Sequence, residues 1–287
     1  MKDELIRGLA FGGQVRFVAA YTKETVEEAR RIHQTTPLCS AALGRLLTAG
    51  ALMGALCKND SDRITLKIDG AGPIRQITVC AEADSSVRGL LYDPSVDLPL
   101  KENGHLDVGS GIGPGTLTVI KDIGLKEPYS GTTELVSGEI GEDLTYYFAS
   151  SEQTPSSVGL GVLVARDLSI LHAGGFLIQL LPFATEETIC ALEEALSRFS
   201  SVTDHFLAGE STEQLMQSIL GELDLEERRP VRYHCGCTRE RVTAALASLG
   251  RDELSSMLAE DKPVTLHCDF CNKDYEFSCD EIRALLN

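Results

Sequence analysis

Short alternations of apolar and polar residues, separated by turn residues, dominate the first 183 positions and predict β-strands. Residues 63–68 and 74–80 flank the turn sequence DGAGP, which is typical of a β-hairpin. Further runs predict strands over 115–121, 134–140, 144–149, 158–164 and 175–181. Helical patterns cover 23–33 and an apolar stretch that begins at Ala41. Together these elements predict an α+β fold whose N-terminal domain is mostly antiparallel β-sheet with helices.

The apolar stretch 41–57 is the strongest candidate for a membrane-spanning helix. It is short for a bilayer, contains Arg45 and is rich in glycine and alanine. We therefore interpret it as a packed core helix.

An acidic helical pattern replaces the β pattern between Thr185 and Arg229. This segment contains 11 acidic and 3 basic residues. Its apolar residues recur at helical spacing and form what we call the linker stripe: Ile189, Leu192, Leu196, Phe199 and Phe206. After Gly209 the pattern continues through Leu215, Ile219 and Leu223. Such narrow stripes on like-charged helices are marginal alone, which predicts a metastable helical linker over 184–230. An ordinary helical linker packed on its neighbour is the alternative.

The patterns thus predict an N-terminal core over 1–183. After the linker, residues 231–287 are predicted to form a small C-terminal α+β module. Helices at about 239–249 and 252–260 separate two cysteine pairs, and Gly250 is a natural helix C-cap. A last helix begins near Asp280, where Ser278 and Glu281 form an S-x-x-E capping box. A unit of this size normally needs a cross-link to be stable.

Nine cysteines indicate metal binding or redox chemistry, because the N-terminal residues MKDEL lack a secretory signal and cytosolic thiols stay reduced. Five of them fall in the last 53 residues. Cys235-Gly-Cys237 and Cys268-Asp-Phe-Cys271 lie 30 residues apart, and each pair can direct two sulfurs at one centre. Four thiolates complete a tetrahedral Zn²⁺ site without an open position. His234 and His267 are alternative ligands, but four cysteines already fill the coordination shell.

Zinc-bound thiolates are also the form that oxidants attack. Cysteines two or three positions apart can reach the Cα separation of roughly 4.4–6.8 Å that a disulfide requires. Cys235–Cys237 and Cys268–Cys271 are therefore the expected disulfides. The spacing fits both a static structural zinc and a redox switch. Cys279, beside the last helix, is either a fifth reactive thiol or a partly buried bystander.

Several function classes are disfavoured. The net charge of −17 repels nucleic acid and anionic membranes. The glycine run 109–115 has Pro114 where a dinucleotide-binding loop needs its third glycine, and no nucleophile or phosphate-loop pattern predicts an enzyme. A zinc-ribbon nucleic-acid binder remains the alternative function, although the module carries 10 acidic against 7 basic residues. A thiol oxidoreductase is also disfavoured, because the sequence around the C-x-x-C motif at 268–271 does not have the βαβ pattern of thioredoxin-like proteins.

The chain resembles the 33 kDa chaperonin family, the redox-regulated heat-shock chaperones of the bacterial cytosol. The resemblance spans nearly the whole length and rests on HCGC at 234–237 and CDFC at 268–271. It also rests on GTLTVIKD at 115–122, YYFASSEQ at 146–153 and AGGFLIQ at 173–179. The family's four ligand positions correspond to Cys235, Cys237, Cys268 and Cys271, while Cys190 and Cys279 are additions to its pattern.

This resemblance implies a cytoplasmic, reduced, inactive monomer that holds one Zn²⁺ per chain. Oxidation then forms two disulfides between neighbouring cysteines, zinc leaves and the linker unfolds. The exposed surface holds unfolded or partly unfolded client proteins, often as a homodimer, without ATP, nucleic acid or membrane. We expect the linker stripe to contribute to client binding, because its marginal helices lose their support when the module unfolds.

Overall fold

The computed structural model describes residues 1–286, which form ten helices and thirteen strands in two compact units, Met1–His234 and from Cys235 onward. The strands are β1 (Glu4–Ala10), β2 (Val15–Tyr21), β3 (Arg63–Gly70), β4 (Gln76–Glu82), β5 (Ser86–Leu91), β6 (Gly115–Asp122), β7 (Tyr129–Glu134), β8 (Ser156–Val164), β9 (Ile170–Leu180), β10 (Leu223–Pro230), β11 (Arg232–Tyr233), β12 (Val264–Cys268) and β13 (Lys273–Phe277). The helices are α1 (Lys23–His33), α2 (Pro37–Gly54), α3 (Val108–Ile112), α4 (Gly141–Ser150), α5 (Glu186–Arg198), α6 (Val202–Leu207), α7 (Thr212–Leu220), α8 (Arg239–Ala247), α9 (Arg251–Ala259) and α10 (Cys279–Ala284).

Two sheets form the first unit. One has the strand order β10-β1-β2-β9-β8, and the other has the order β11-β5-β4-β3-β6-β7. Adjacent strands are antiparallel except β11 and β5, which run parallel. The second unit combines a β12–β13 hairpin with three helices. The predicted α+β fold with mostly antiparallel strands is confirmed.

Helix α2 lies in the centre of the first unit and contacts strands of both sheets. It is long and apolar enough to cross a membrane, yet 89% of it is buried inside the protein. Thr36 caps its N-terminus by accepting a hydrogen bond from the Cys39 amide, and Pro37 occupies the first turn. The predicted core helix is therefore correct, and it begins four residues before Ala41.

The outer face of the five-stranded sheet forms a second apolar cluster with α5, α6 and α7. The sheet contributes Ile6, Phe17, Ala19, Phe176 and Ile178, and the helices contribute Leu192, Val202, Phe206, Leu215, Met216 and Ile219. The predicted helical content of 184–230 is thus right up to Leu220 and wrong beyond it. Gly221 ends α7 with φ +73°, and Leu223–Pro230 pairs with β1 as strand β10. Backbone pairing with β1 replaces the helix there.

The predicted strands over 134–140 and 144–149 are wrong. Residues 135–140 form a loop into α4, and 144–149 lie within that helix. The cause is Asp143, a fully buried residue whose carboxylate accepts hydrogen bonds from the amides of Val136, Ser137, Gly138 and Ile140. These bonds satisfy amides that a strand partner would otherwise engage. Gly250, expected as a C-cap of α8, instead precedes α9 with φ +91°.

Glu27 on α1 carries a testable pH dependence, because its buried carboxylate accepts hydrogen bonds from Arg30 at 2.7 and 2.9 Å and from the Ile170 amide at 2.9 Å. The Arg30 bonds outweigh burial and lower the pKa of Glu27 from 4.5 to about 2. A carboxyl with a lower pKa in the folded state stabilises the fold above about pH 4.5 and loses this contribution as pH falls towards 2.

We expect Glu27→Gln to reduce the free energy of unfolding by about 1.5–3 kcal/mol at pH 7. The reduction should shrink at pH 3, where the wild-type carboxylate is closer to protonation. Urea titrations at both pH values measure the difference. Glu28→Gln, on the exposed side of the same helix, is the control and should change stability little. A loss for Glu27→Gln that is equal at both pH values contradicts the assignment.

Candidate metal centre

Two local structures carry the four paired cysteines of the second unit. Cys235 and Cys237 precede α8, whose N-terminus is capped by Thr238. Cys268 ends β12, and Cys271 lies in the turn to β13. That turn is closed by hydrogen bonds from the amides of Cys271 and Asn272 to the Cys268 carbonyl, at 3.2 and 2.8 Å. Asn272 has φ +51°, so the chain reverses tightly and both sulfurs point at one centre.

The four sulfur atoms form a compact cluster. All of them lie within 4.8 Å of one another, and all four cysteines are half-buried. Sulfurs of Cys235 and Cys268 are 3.7 Å apart, and those of Cys237 and Cys271 are 3.2 Å apart. A tetrahedron with metal–sulfur distances near 2.3 Å has edges of about 3.8 Å. The residues therefore fit a four-coordinate metal ion with a preference for thiolates.

Each of these two close contacts joins one cysteine of the first pair to one of the second. All nine cysteines are free thiols in this structure. In a tetrahedral site every edge is of similar length, so closeness within the cluster does not select a disulfide pairing. Cys235–Cys237 and Cys268–Cys271 remain the predicted pairs.

The thiols differ in acidity. Burial raises the pKa of Cys235 to about 11 and that of Cys271 well above its usual range. At Cys237, burial is outweighed by hydrogen bonds from the Tyr275 hydroxyl, 3.2 Å from the sulfur, and from the other thiols, which lower the pKa to about 7. Cys237 therefore loses its proton at neutral pH more readily than Cys235 or Cys271 does.

The two histidines considered as alternative ligands lie outside this cluster. His234 belongs to the first unit, where its amide donates to the Val87 carbonyl at 2.8 Å. The Nδ1 atom of His267 lies 2.7 Å from the Asp274 carboxylate, which raises the pKa of the imidazole. The sulfur cluster thus consists of cysteines alone.

The remaining cysteines are also separate from the cluster. Cys279 begins α10, with its sulfur 3.5 Å from the Lys262 carbonyl. Cys190 is exposed on α5. The others lie in the first unit, where Cys39 is buried and Cys57 and Cys80 are half-buried.

The second unit has a small core. Among its described residues, four apolar side chains are fully buried: Leu246, Leu254, Phe277 and Ile282. The Arg239 guanidinium stacks over the Phe277 ring at 4.5 Å, and Ser278 and Glu281 form the predicted capping box of α10. Four buried side chains stabilise a domain only weakly, so this unit depends on a further cross-link.

The linker stripe packs on the five-stranded sheet within the first unit. Leu192 and Phe206 are buried, whereas Leu196, Phe199 and Ile189 are half-buried. The Phe206 ring makes an edge-to-face contact with Tyr21 at 4.9 Å, and Phe199 does the same with Phe176 at 5.3 Å. The outer face of the five-stranded sheet is therefore the surface that the stripe covers.

Tyr275 is a site residue that the sequence did not reveal, since nothing in its spacing marks a tyrosine on β13 as a neighbour of Cys237. Its hydroxyl contacts both the sulfur and the carbonyl oxygen of Cys237, at 3.2 and 3.3 Å. Hydrogen bonds to metal ligands orient them and tune affinity.

We expect Tyr275→Phe to weaken zinc affinity by about tenfold, because it removes the hydroxyl donor and keeps the ring. Competition with a chromophoric chelator measures the dissociation constant. Tyr146→Phe, at an exposed position on α4, is the control and should not change it. An unaltered affinity for Tyr275→Phe would show that the hydroxyl does not support the thiolate.

Comparison with known proteins extends over both units. A model of the Hsp33 protein family matches residues 3–278. The 33 kDa chaperonin of Agathobacter rectalis is 49% identical over 287 residues, which cover 99% of this chain and 100% of that protein. The 33 kDa chaperonin of Bacillus cytotoxicus is 48% identical over 289 residues, covering 100% and 99%. A crystal structure of the 33 kDa chaperonin (heat shock protein 33 homolog) from Thermotoga maritima matches with a TM-score of 0.90 and 37% identity, covering 100% of this chain and 98% of that one.

Proposed function

The chain belongs to the Hsp33 family of stress-response chaperones, and we propose that it is a redox-regulated holdase that works without ATP. The observation that carries the proposal is the cluster of four thiols in a unit with four fully buried side chains. With so small a core, the folded state of this unit depends on the four thiols, so a chemical change at these thiols changes its stability. Oxidation of the thiols is then also a conformational signal.

Cys235, Cys237, Cys268 and Cys271 would hold one Zn²⁺ in the reduced chain. The ion would cross-link the segment before α8 to the β12–β13 turn and would keep the four sulfurs as thiolates. Zinc binding to small modules contributes roughly 10–16 kcal/mol in apparent terms. That is comparable to or larger than the stability of a whole domain, about 5–15 kcal/mol. The folded state of the second unit therefore depends on the metal.

Oxidation removes the ligands. Two thiolates give up two electrons to form one disulfide, so formation of Cys235–Cys237 and Cys268–Cys271 releases four electrons. Two molecules of hydrogen peroxide accept these four electrons, take four protons from solvent and become four molecules of water. Disulfide sulfurs are poor zinc ligands, since the thiolate is the ligating form. Zinc leaves, and the second unit loses its main cross-link.

The linker is the element that responds. Helix α5 buries only Thr188 and Leu192 fully, and α6 buries only Val202 and Phe206. Helices with so few buried side chains are marginal, and the acidic face of the segment adds like-charge repulsion. The second unit follows the linker in the chain, after β10 and β11, which pair with β1 and β5. In this proposal its unfolding precedes the release of α5 and α6 from the sheet.

Release exposes apolar surface for clients. The linker stripe Ile189, Leu192, Leu196, Phe199 and Phe206 becomes accessible, as does the sheet face that it covers. Its acidic residues keep the complex in solution. The proposed partners are unfolded or partly unfolded proteins of the cytoplasm. A homodimer in the oxidised form is what the resemblance to the family implies.

The test combines an aggregation assay with zinc and thiol counting. The reduced protein should not protect a thermally unfolding client, whereas peroxide with mild heat should activate protection and release about one zinc per chain. The Cys190→Ser/Cys279→Ser variant is the matched control, because it removes two thiols outside the cluster. It should still lose four thiols with one zinc. Equal protection before and after oxidation contradicts the switch.

A further inference from the structure

Strand β10 occupies one edge of the five-stranded sheet. It pairs antiparallel with β1 along the full length of β1, from Glu4 opposite Pro230 to Ala10 opposite Leu223. It also lies at the end of the linker segment 184–230. Whenever that segment is released, β1 becomes the edge strand, and a row of its backbone N–H and C=O groups loses its partners.

The side chains of β10 contact β1 through ion pairs more than through apolar burial: Arg228 donates to Glu4 at 2.7 Å, and Glu227 pairs with Arg7 at 3.0 Å. Leu223 packs against the second apolar cluster, but Leu225 is 37% exposed. The other residues before Pro230 are charged: Asp224, Glu226, Glu227, Arg228 and Arg229. Within the described part of the chain, Nε and Nη2 of Arg229 are buried without a hydrogen-bond partner. Backbone pairing and these partly exposed ion pairs, each of which contributes little, therefore hold β10 in place more than apolar burial does.

Strand β1 offers an apolar site to a strand of different composition. Leu5 belongs to the central core cluster, whereas Ile6 and Ala10 belong to the cluster on the other face. Gly8 permits a very close approach, since a Cβ atom there would lie 2.1 Å from the Asp224 carbonyl oxygen. An extended apolar segment could pair with β1 without the bulge that β10 makes opposite Arg7 and Gly8, and would also bury side chains on both faces.

We propose that the edge of β1, once β10 has left, binds an extended apolar segment of a client protein, which adds to the sheet as a new strand. This inference rests on the proposed function, because it requires release of the linker. It names the mode of binding, main-chain pairing, and the chemistry of the partner, an unfolded chain with alternating apolar side chains. β10 of a second copy is the competing occupant.

The probe is an eight-residue peptide of alternating valine and threonine, compared with a depsipeptide that has the same side chains and esters in place of most amides. Fluorescence anisotropy with the oxidised full-length protein measures binding. We expect the depsipeptide to bind about 100-fold more weakly, because it lacks the N–H donors. Equal binding of the two probes would overturn strand addition.

Amide hydrogen exchange locates the site. The β1 amides that face β10 should be protected in the reduced protein, exchange rapidly after oxidation and regain protection with the peptide. Amides of β7, the edge strand of the other sheet, are the internal control and should not respond. Continued protection of β1 after oxidation without peptide would overturn the inference, since it indicates that β10 of the same or a second copy still occupies the edge.

The two levels of the proposal fail differently. Oxidised protein that prevents client aggregation but binds the peptide and the depsipeptide equally refutes only strand addition. Oxidised protein that neither prevents aggregation nor exposes the β1 amides refutes the proposed function, and strand addition with it.

Discussion

Replacing Cys268 and Cys271 with serine will unfold the second unit and leave the central core of the first unit, around α2, folded. The reason is that the described core of this unit has only four buried apolar side chains, whereas zinc binding contributes roughly 10–16 kcal/mol to the stability of such a module. Serine is nearly isosteric with cysteine but does not replace a thiolate as a zinc ligand. The first unit has its own large core around α2 and contains none of the four sulfurs.

Hydrogen exchange resolved by segment measures this result, together with zinc content. Amides of α8, α9, α10 and the β12–β13 hairpin should exchange at the rate of an unfolded chain, and zinc should be lost. Cys279→Ser is the matched control, because its thiol lies in the same unit but outside the cluster. Protection that persists in the double variant would show that the small core suffices without metal. A strong chelator should reproduce the effect of the double variant on the reduced wild-type chain.

The metal cluster could be predicted because its information is local. Each cysteine pair lies within one short turn, and only the meeting of the two turns requires the fold. Two zinc ligands that lie two or three positions apart can be recognised from the cysteine spacing alone. Tyr275 could not be predicted in this way, since its contact with Cys237 depends on how the hairpin packs against the segment before α8.

Long-range pairing explains the errors in the fold. The sequence of α4, with Tyr146, Tyr147 and Phe148, has strong β-propensity. The buried Asp143 nevertheless gathers four loop amides and starts a helix, a contact that residue preferences do not encode. For β10 the error is reversed, because its charged sequence does not predict a strand. It forms a strand because it pairs with the edge of β1, more than two hundred positions earlier in the chain.

For the linker, the sequence predicts the apolar stripe but not the surface against which the stripe packs. Its apolar stripe follows from helical spacing alone, as do the acidic residues around it. The surface beneath it could not be derived, because β1, β2 and β9 contribute one face from distant parts of the chain. In the proposed mechanism, release of the linker would therefore expose this sheet face as well as the apolar stripe of the helices.

Replacing Phe206 with alanine will make the reduced, zinc-bound protein protect clients. Phe206 is 1% exposed, contacts Tyr21 edge to face at 4.9 Å and packs on Gly174, where a Cβ atom would lie 2.6 Å from the ring. Loss of a buried phenylalanine costs about 3–5 kcal/mol. Because α6 has only one other fully buried apolar side chain, Val202, this cost should release the linker without any change at the sulfurs.

The measurements are hydrogen exchange over 185–220, zinc content and the aggregation assay, all under reducing conditions. Leu207→Ala is the matched control, since Leu207 is the next residue on the same helix and is 59% exposed. It should leave exchange and activity unchanged. If Phe206→Ala accelerates exchange in the linker, retains zinc and stays inactive, linker release is insufficient and the disulfides themselves must contribute to the active state. If it becomes active with zinc bound, oxidation acts only by removing the support that keeps the linker on the sheet.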